Sequence, residues 1–203
     1  MACSNWLISG QAVYSAGHYK ISSNGQWFVI ESIPEFYRNV LDSVPIRLKK
    51  YEKFFRIGEQ SAITIAMALL AFNQARLDDE VDFDMTAVLG YGEDGSHHNN
   101  LTYWHDYVNN GKNSAQGHLF VGTLASTPLC QLALTLGCHA PVYYISPQRD
   151  KSVLASELDF IYKQCENLFF IELKHDFCHC VFLQKDFNGV PSDDLISYLG
   201  GLK

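Results

Sequence analysis

No apolar run in this sequence is long enough to cross a bilayer. The most apolar stretch, from Ile63 to Phe72, falls well short of the roughly 20 residues that a membrane-spanning helix needs. Residues 1–9 lack the basic residues and the long apolar run of a secretory signal peptide. These absences predict a cytoplasmic protein without a membrane span.

A basic stripe is also missing. The net charge is −7 and the pI is about 5.5, which argues against a nucleic acid as partner. We find no internal repeat, no low-complexity segment and no linker that would divide the chain. With 203 residues, of which 47% are hydrophobic, the sequence predicts one domain over residues 1–203.

No residue pattern calls for a metal or another cofactor. The 6 cysteines are scattered, mostly in apolar runs, which favours reduced and buried thiols. In Cys178-His179-Cys180 the alternation of a strand would put the two cysteines on one face and the histidine on the other. His97, His98 and His105 are expected in or near a solvated loop, and Gly90-Tyr91-Gly92 lacks the remaining spacing of a dinucleotide fingerprint.

Strand and helix patterns alternate along the chain, which predicts α/β layering. A long apolar segment without Gly or Pro predicts a buried helix over Glu59–Leu77, and Thr127-Pro128 predicts the start of another, with Thr127 as N-cap. Further helices are expected at Glu35–Leu41, Leu101–Asn109 and Ser152–Gln164, and strands at residues 6–10, 27–30, 86–92, 142–145, 168–173 and 177–183.

Residues 47–56 mix five basic residues with aromatic ones. A solvated face with snorkelling side chains explains this composition. A docking site for an anionic carrier protein is the alternative.

Several motifs, in order, resemble those of one family. They are the long helix followed by Val88-Leu89-Gly90-Tyr91-Gly92, the loop at 124–128, the turn Leu136-Gly137-Cys138-His139-Ala140-Pro141-Val142, and Ser152-Val153-Leu154-Ala155. Together they resemble the N-terminal half of the β-ketoacyl synthases. The resemblance implies half of a thiolase-like fold, with one mixed sheet of about five strands flanked by helices.

The residues expected at the family's catalytic centre are missing. Alignment on Ser152–Ala155 puts Arg149 where active synthases carry their nucleophilic Cys, with Gln148 adjacent. Neither side chain attacks a thioester. The family's catalytic histidines belong to a second half, which we expect this chain to lack.

Two features depart from the active synthases: the missing nucleophilic Cys and the expected lack of a second half. Among relatives of the synthases, the half-sized chain-length-factor-like subunits of aryl polyene and flexirubin-type biosynthesis fit both features. The resemblance therefore implies a non-catalytic subunit. Its partner would be a full-length ketosynthase with 3-oxoacyl-ACP synthase activity, and it would meet the acyl carrier protein only indirectly.

Two candidate sites follow from the resemblance. The strand Val142, Tyr143, Tyr144 and Ile145 is the expected dimer seam, and Tyr103, Trp104 and Tyr107 are expected to line the partner's acyl tunnel. The alternatives are an internal strand for the first and ordinary core packing for the second.

Two other functions remain open. The first is an acyltransferase or thioesterase-type enzyme with a relocated nucleophile, for which Cys130, Cys138 and Cys178 are the candidates. The second is a homodimeric scaffold that binds acyl chains. A homodimer of the isolated subunit is compatible with the leading hypothesis as well.

Overall fold

The computed structural model describes residues 5–21, 25–43, 57–75, 81–92, 96–111, 117–146, 151–186, 190–191 and 194–197. The strands are β1 (Asn5–Ser15), β2 (His18–Ile21), β3 (Trp27–Val29), β4 (Thr86–Tyr91), β5 (Val142–Ile145), β6 (Asn167–Lys174), β7 (Phe177–Lys185) and β8 (Val190–Pro191). The helices are α1 (Ile33–Ser43), α2 (Glu59–Gln74), α3 (His97–Asn110), α4 (Gly117–Gly122), α5 (Thr127–Leu136) and α6 (Lys151–Gln164). The basic segment 47–56 lies outside the described residues.

One mixed sheet organises the fold. Its strand order is β3-β2-β1-β7-β6-β4-β5, and β8 pairs with β1, so the sheet has 8 strands. The strands β1, β7, β6 and β4 form its middle, β5 is one edge, and the short strands β2, β3 and β8 bring the total above the number of about five that the resemblance implies. β4 runs parallel to β5 and β6, whereas β7 is antiparallel to β6 and β1. The predicted α/β class with one mixed sheet is confirmed.

Helices cover both faces of the sheet, because the central strands alternate their side chains between two cores. The first core lies under α1, α2 and α5 and includes Met67, Leu69, Leu132, Phe169 and Phe182. The second lies under α6 and residues 195–196 and includes Trp6, Leu89, Leu158, Phe170 and Leu183.

Two glycines allow helices to approach the sheet closely. A Cβ on Gly10 of β1 would overlap the carbonyl of Ala71 in α2, and a Cβ on Gly90 of β4 would overlap the side chain of Leu129 in α5. The register of β1 against β7 shifts between Ile8 and Gly10, a bulge that accompanies this contact. The Gly10 contact brings α2 directly against the sheet, and this helix is buried along most of its length.

Two local predictions were wrong. Thr127 is the first residue of α5 rather than its N-cap; Ser126 precedes the helix, and the Thr127 hydroxyl instead donates to the Val121 carbonyl at 2.6 Å. His97 opens α3 instead of lying in a loop. In the part of the chain that the structure describes, no helix is both long and apolar enough to cross a membrane.

Candidate functional site

Strand β5 lies at one end of the sheet. It pairs with β4 on one side, and no other described strand pairs with it. The Val88 N–H donates to the Pro141 carbonyl and the Gly92 N–H to the Ile145 carbonyl. Because hydrogen-bonding direction alternates along a strand, the backbone groups of Val142 and Tyr144 point to the outer edge. The predicted seam residues therefore form an edge strand of the described sheet.

The side chains of β5 hold the strand in place from both faces. Val142 and Tyr144 pack against the first core, and Tyr143 and Ile145 contact or belong to the second. The Tyr144 hydroxyl also donates to the Gly92 carbonyl at 2.7 Å, at the end of β4. The edge is thus a firmly anchored strand, suited to add a further strand to the sheet.

The predicted tunnel residues lie on α3, where no described side chain is buried. Trp104 is 59% exposed, so the interpretation that it fills the core of this subunit is wrong. Trp104 stacks on Tyr107 with ring centroids 6.0 Å apart, and Tyr103 meets Phe120 of α4 edge-on at 5.6 Å. The three aromatics form one cluster on the outside of the molecule.

This cluster belongs to a larger apolar surface. Its other exposed members come from α3, α4 and the following turn, and we call the whole set the α3–α4 surface: Leu101, Tyr103, Trp104, Tyr107, Val108, Phe120, Val121 and Leu124. Large exposed apolar patches on soluble proteins commonly mark interaction sites.

Polar contacts fix α4 against its neighbours. The Asn99 side-chain amide donates to the Gly122 carbonyl at 3.0 Å, and the Ser96 hydroxyl donates to the Thr123 carbonyl. Together with the contact from Thr127 to Val121, these bonds connect α4 to the start of α3 and the start of α5. The α3–α4 surface is therefore held as one unit.

The cysteines differ in accessibility. Cys138, Cys165, Cys178 and Cys180 are buried, and burial raises the pKa of each thiol, to about 12 for Cys138 and Cys178. Cys130 is the exception to the expected burial of the cysteines among the described residues, because it is exposed on α5. Cys3 lies outside the described residues.

The position that the resemblance assigns to the nucleophile lies outside the described residues too. Arg149 and Gln148 fall in the segment 147–150, between the end of β5 and the start of α6. In β7 the predicted alternation is confirmed: Cys178 and Cys180 belong to the first core, whereas the His179 imidazole faces Gln11 at 3.4 Å.

Comparison with known proteins finds matches through the structure. No protein-family model matches the sequence, and no curated protein matches it. Solved structures do match. One chain of the ketosynthase ApeO in complex with its chain length factor ApeC, from Xenorhabdus doucetiae, superposes with a TM-score of 0.57 at 11% identity, over 97% of this chain and 92% of that one.

Two further structures agree. The ishigamide ketosynthase/chain length factor gives a TM-score of 0.58 at 10% identity, over 92% of this chain and 64% of that one. A β-ketoacyl synthase from Burkholderia phymatum STM815 gives 0.57 at 10% identity, over 97% and 61%. The fold is that of the ketosynthases. This chain spans less than two thirds of the last two proteins but nearly the full length of the first.

Sequence reasoning missed one element that contributes to the α3–α4 surface. The short helix α4 carries Phe120 and Val121, two exposed members of the α3–α4 surface. The apolar run Leu119-Phe120-Val121 between Gly117 and Gly122 was the available signal. It was too short to distinguish a surface helix from a buried turn.

Proposed function

We propose that this chain is a non-catalytic, chain-length-factor-like partner subunit of an active β-ketoacyl-ACP synthase. The observation that carries the proposal is the exposed α3–α4 surface on a ketosynthase-like fold. An apolar surface of this kind is stabilised by a partner that covers it. Two of the matching structures are ketosynthases together with a chain length factor, which supports this type of partner.

In the proposed heterodimer the open edge of β5 pairs with an equivalent strand of a full-length ketosynthase. Such pairing continues the sheet beyond β5. Tyr103, Trp104 and Tyr107 then face the partner and close the end of its acyl tunnel, which sets the length of the carrier-bound polyene. The acyl carrier protein contacts the complex through the synthase subunit.

The non-catalytic role is supported by two observations. Arg149 aligns with the nucleophilic Cys of the active synthases. The four buried thiols described above have raised pKa values, so that they stay protonated near pH 7 and are poor nucleophiles. The 3-oxoacyl-ACP synthase activity of the complex would then belong to the partner.

Co-expression with a full-length ketosynthase tests the assembly. We expect a 1:1 complex by light scattering, with condensation activity that is abolished when the partner's nucleophilic Cys is replaced. A chain that remains a homodimer with every ketosynthase offered, and that binds acyl chains alone, would favour the scaffold hypothesis instead.

Because Cys130 is exposed, its thiol is accessible to an acyl group, and a second candidate function is acyl transfer or thioester hydrolysis. A carrier loaded with a mechanism-based acyl mimic distinguishes the two functions. We expect the chain to stay unlabelled. Labelling that disappears in Cys130→Ser but persists in Cys3→Ser would show that the chain is itself an acyl-transfer enzyme.

A further inference from the structure

Two histidines that lie far apart in the sequence meet at the surface of the molecule. His97 is the first residue of α3, and His175 lies in the turn between β6 and β7. The centroids of their imidazole rings are 6.4 Å apart, and the ring planes meet at 79°. Both residues are exposed, so burial in a core does not hold the rings together. The fold therefore places two nitrogen ligands side by side, although no local sequence motif contains the pair.

Carboxylates lie beside this histidine pair. The Asp176 carboxylate is 3.8 Å from the Nε2 atom of His175. Glu59, the first residue of α2, lines a cavity of about 240 Å³ together with His175 and Asp176. Lys174 also lines this cavity, but its ammonium group is 2.6 Å from the Glu172 carboxylate, which compensates its charge. The surroundings of the two imidazoles thus favour a cation, and the cavity has room for an ion with bound water.

The backbone that carries each imidazole is fixed. In the turn between β6 and β7, the Ala16 N–H donates to the Asp176 carbonyl at 2.9 Å. Ser96 precedes His97, and its hydroxyl donates to the Thr123 carbonyl. The two segments are therefore held in position, and only exposed side chains need to rotate for the rings to share one ligand. Such preorganisation lowers the entropic cost of binding.

The chemistry of the pair matches a divalent transition metal. Neutral imidazole is a common ligand of Zn²⁺, Cu²⁺ and Ni²⁺, whereas Mg²⁺ and Ca²⁺ prefer oxygen ligands. Two imidazoles bound to one Zn²⁺ ion, each through a bond of about 2.0–2.1 Å, have ring centroids about 5–6 Å apart. The observed separation of 6.4 Å exceeds this range only slightly, so a small rotation of either side chain closes the difference.

We propose that His97 and His175 together bind a divalent transition-metal ion such as Zn²⁺, with Asp176 as the carboxylate partner of His175. Carboxylates commonly orient histidines that bind a metal. In the described part of the chain no group of three His, Cys, Asp or Glu side chains is arranged to hold a metal ion, so water molecules complete the coordination. The site requires no ketosynthase partner, so its failure would leave the proposed function unaffected.

Isothermal titration calorimetry of the reduced full chain with zinc chloride tests the site, with magnesium chloride as reference. We expect saturable binding of a single Zn²⁺ ion and no binding of Mg²⁺. Zn²⁺ should also raise the melting temperature, because an ion that binds the folded state stabilises it. Equal affinity for Mg²⁺ would mean that the carboxylates bind the ion without the imidazoles, and it would overturn the proposal.

Variants connect the binding to the two imidazoles. His97→Ala and His175→Ala should each weaken Zn²⁺ binding at least about tenfold, since loss of an outer partner of a metal ligand already costs about 10–100-fold. Both residues are exposed, so we expect both variants to fold, which circular dichroism without metal verifies.

Two matched controls should keep the wild-type affinity for Zn²⁺. His105→Ala removes another exposed imidazole of α3, and Cys130→Ser removes the exposed thiol of α5. The proposal is overturned by the absence of saturable Zn²⁺ binding to the wild-type chain, or by unchanged affinity in the folded His97→Ala or His175→Ala protein. An equal loss of affinity in either control would also overturn it, because the ion would then bind elsewhere.

Discussion

His179 lies in β7, between β1 and β6, with only 1% of its surface exposed. Burial, reinforced by the charge of Lys20, lowers the pKa of this imidazole from 6.5 to about 4. The folded protein therefore keeps it neutral at pH values where the unfolded chain binds a proton. Protonation then favours unfolding, and the contribution to stability falls as the pH drops from about 6.5 to about 4.

We expect this histidine alone to make the protein about 2 kcal/mol less stable at pH 5 than at pH 7. Urea unfolding of wild-type protein and His179→Gln at both pH values measures the contribution, since the difference between the two proteins removes the effects of the carboxylates. An equal loss of stability in both proteins would mean that His179 titrates normally in the folded state.

Gly10 is the position in β1 at which α2 packs directly against the sheet. An added Cβ would overlap a backbone carbonyl, that of Ala71, which cannot rotate away as a side chain can. We expect Gly10→Ala to destabilise the protein by about 1–3 kcal/mol, the usual effect of overpacking. Gly117→Ala is the control, because a Cβ there meets nothing within 4 Å. Similar unfolding midpoints for the two variants would contradict this account.

At the scale of elements, local pattern predicted most of the structure. β5 runs from Val142 to Ile145 as expected, and α5 ends at Leu136, where Gly137 adopts φ 71° as a left-handed C-cap. The strand β2 and the helix α4 were missed because each is short: the alternation of His-Tyr-Lys-Ile in β2 extends over only 4 residues, and α4 has only 6. The N-cap error at Thr127 arose because its hydroxyl bonds across to α4, a tertiary contact that no local pattern shows.

The open edge of β5 leads to a prediction about assembly. Tyr144→Pro removes an N–H that points away from β4, so it should leave the internal sheet paired while it blocks pairing with a second chain. We expect loss of the complex with a ketosynthase, measured by light scattering.

Tyr144→Ala is the matched control for this experiment, because it also loses the bond to the Gly92 carbonyl and the core contact but keeps the N–H. If the Pro variant assembles as well as the Ala variant, the seam lies elsewhere.

At the scale of the whole molecule, the sequence could indicate the ketosynthase-like architecture because its motifs are ordered along one chain. Which apolar side chains are exposed could not be predicted in the same way. The aromatic residues of α3 show the same local pattern whether they face a core or a partner, and only the placement of α3 outside both cores distinguishes the two. The same holds for Cys130 on α5, which is exposed although its neighbours in sequence are apolar.

Trp104 links this exposed surface to the length of the product. Its side chain is 59% exposed, so truncation leaves no cavity in this subunit, and Trp104→Ala should change the melting temperature little. In the proposed complex the indole closes the end of the partner's acyl tunnel. We therefore expect Trp104→Ala to yield longer chains, measured by mass spectrometry of the products of the reconstituted synthase.

Phe160→Ala is the control, since Phe160 is a 45% exposed aromatic on α6, the helix over the second core. An unchanged product distribution in an intact Trp104→Ala complex would remove Trp104 from the tunnel. Longer products from Phe160→Ala as well would assign the effect to a general loosening of the complex.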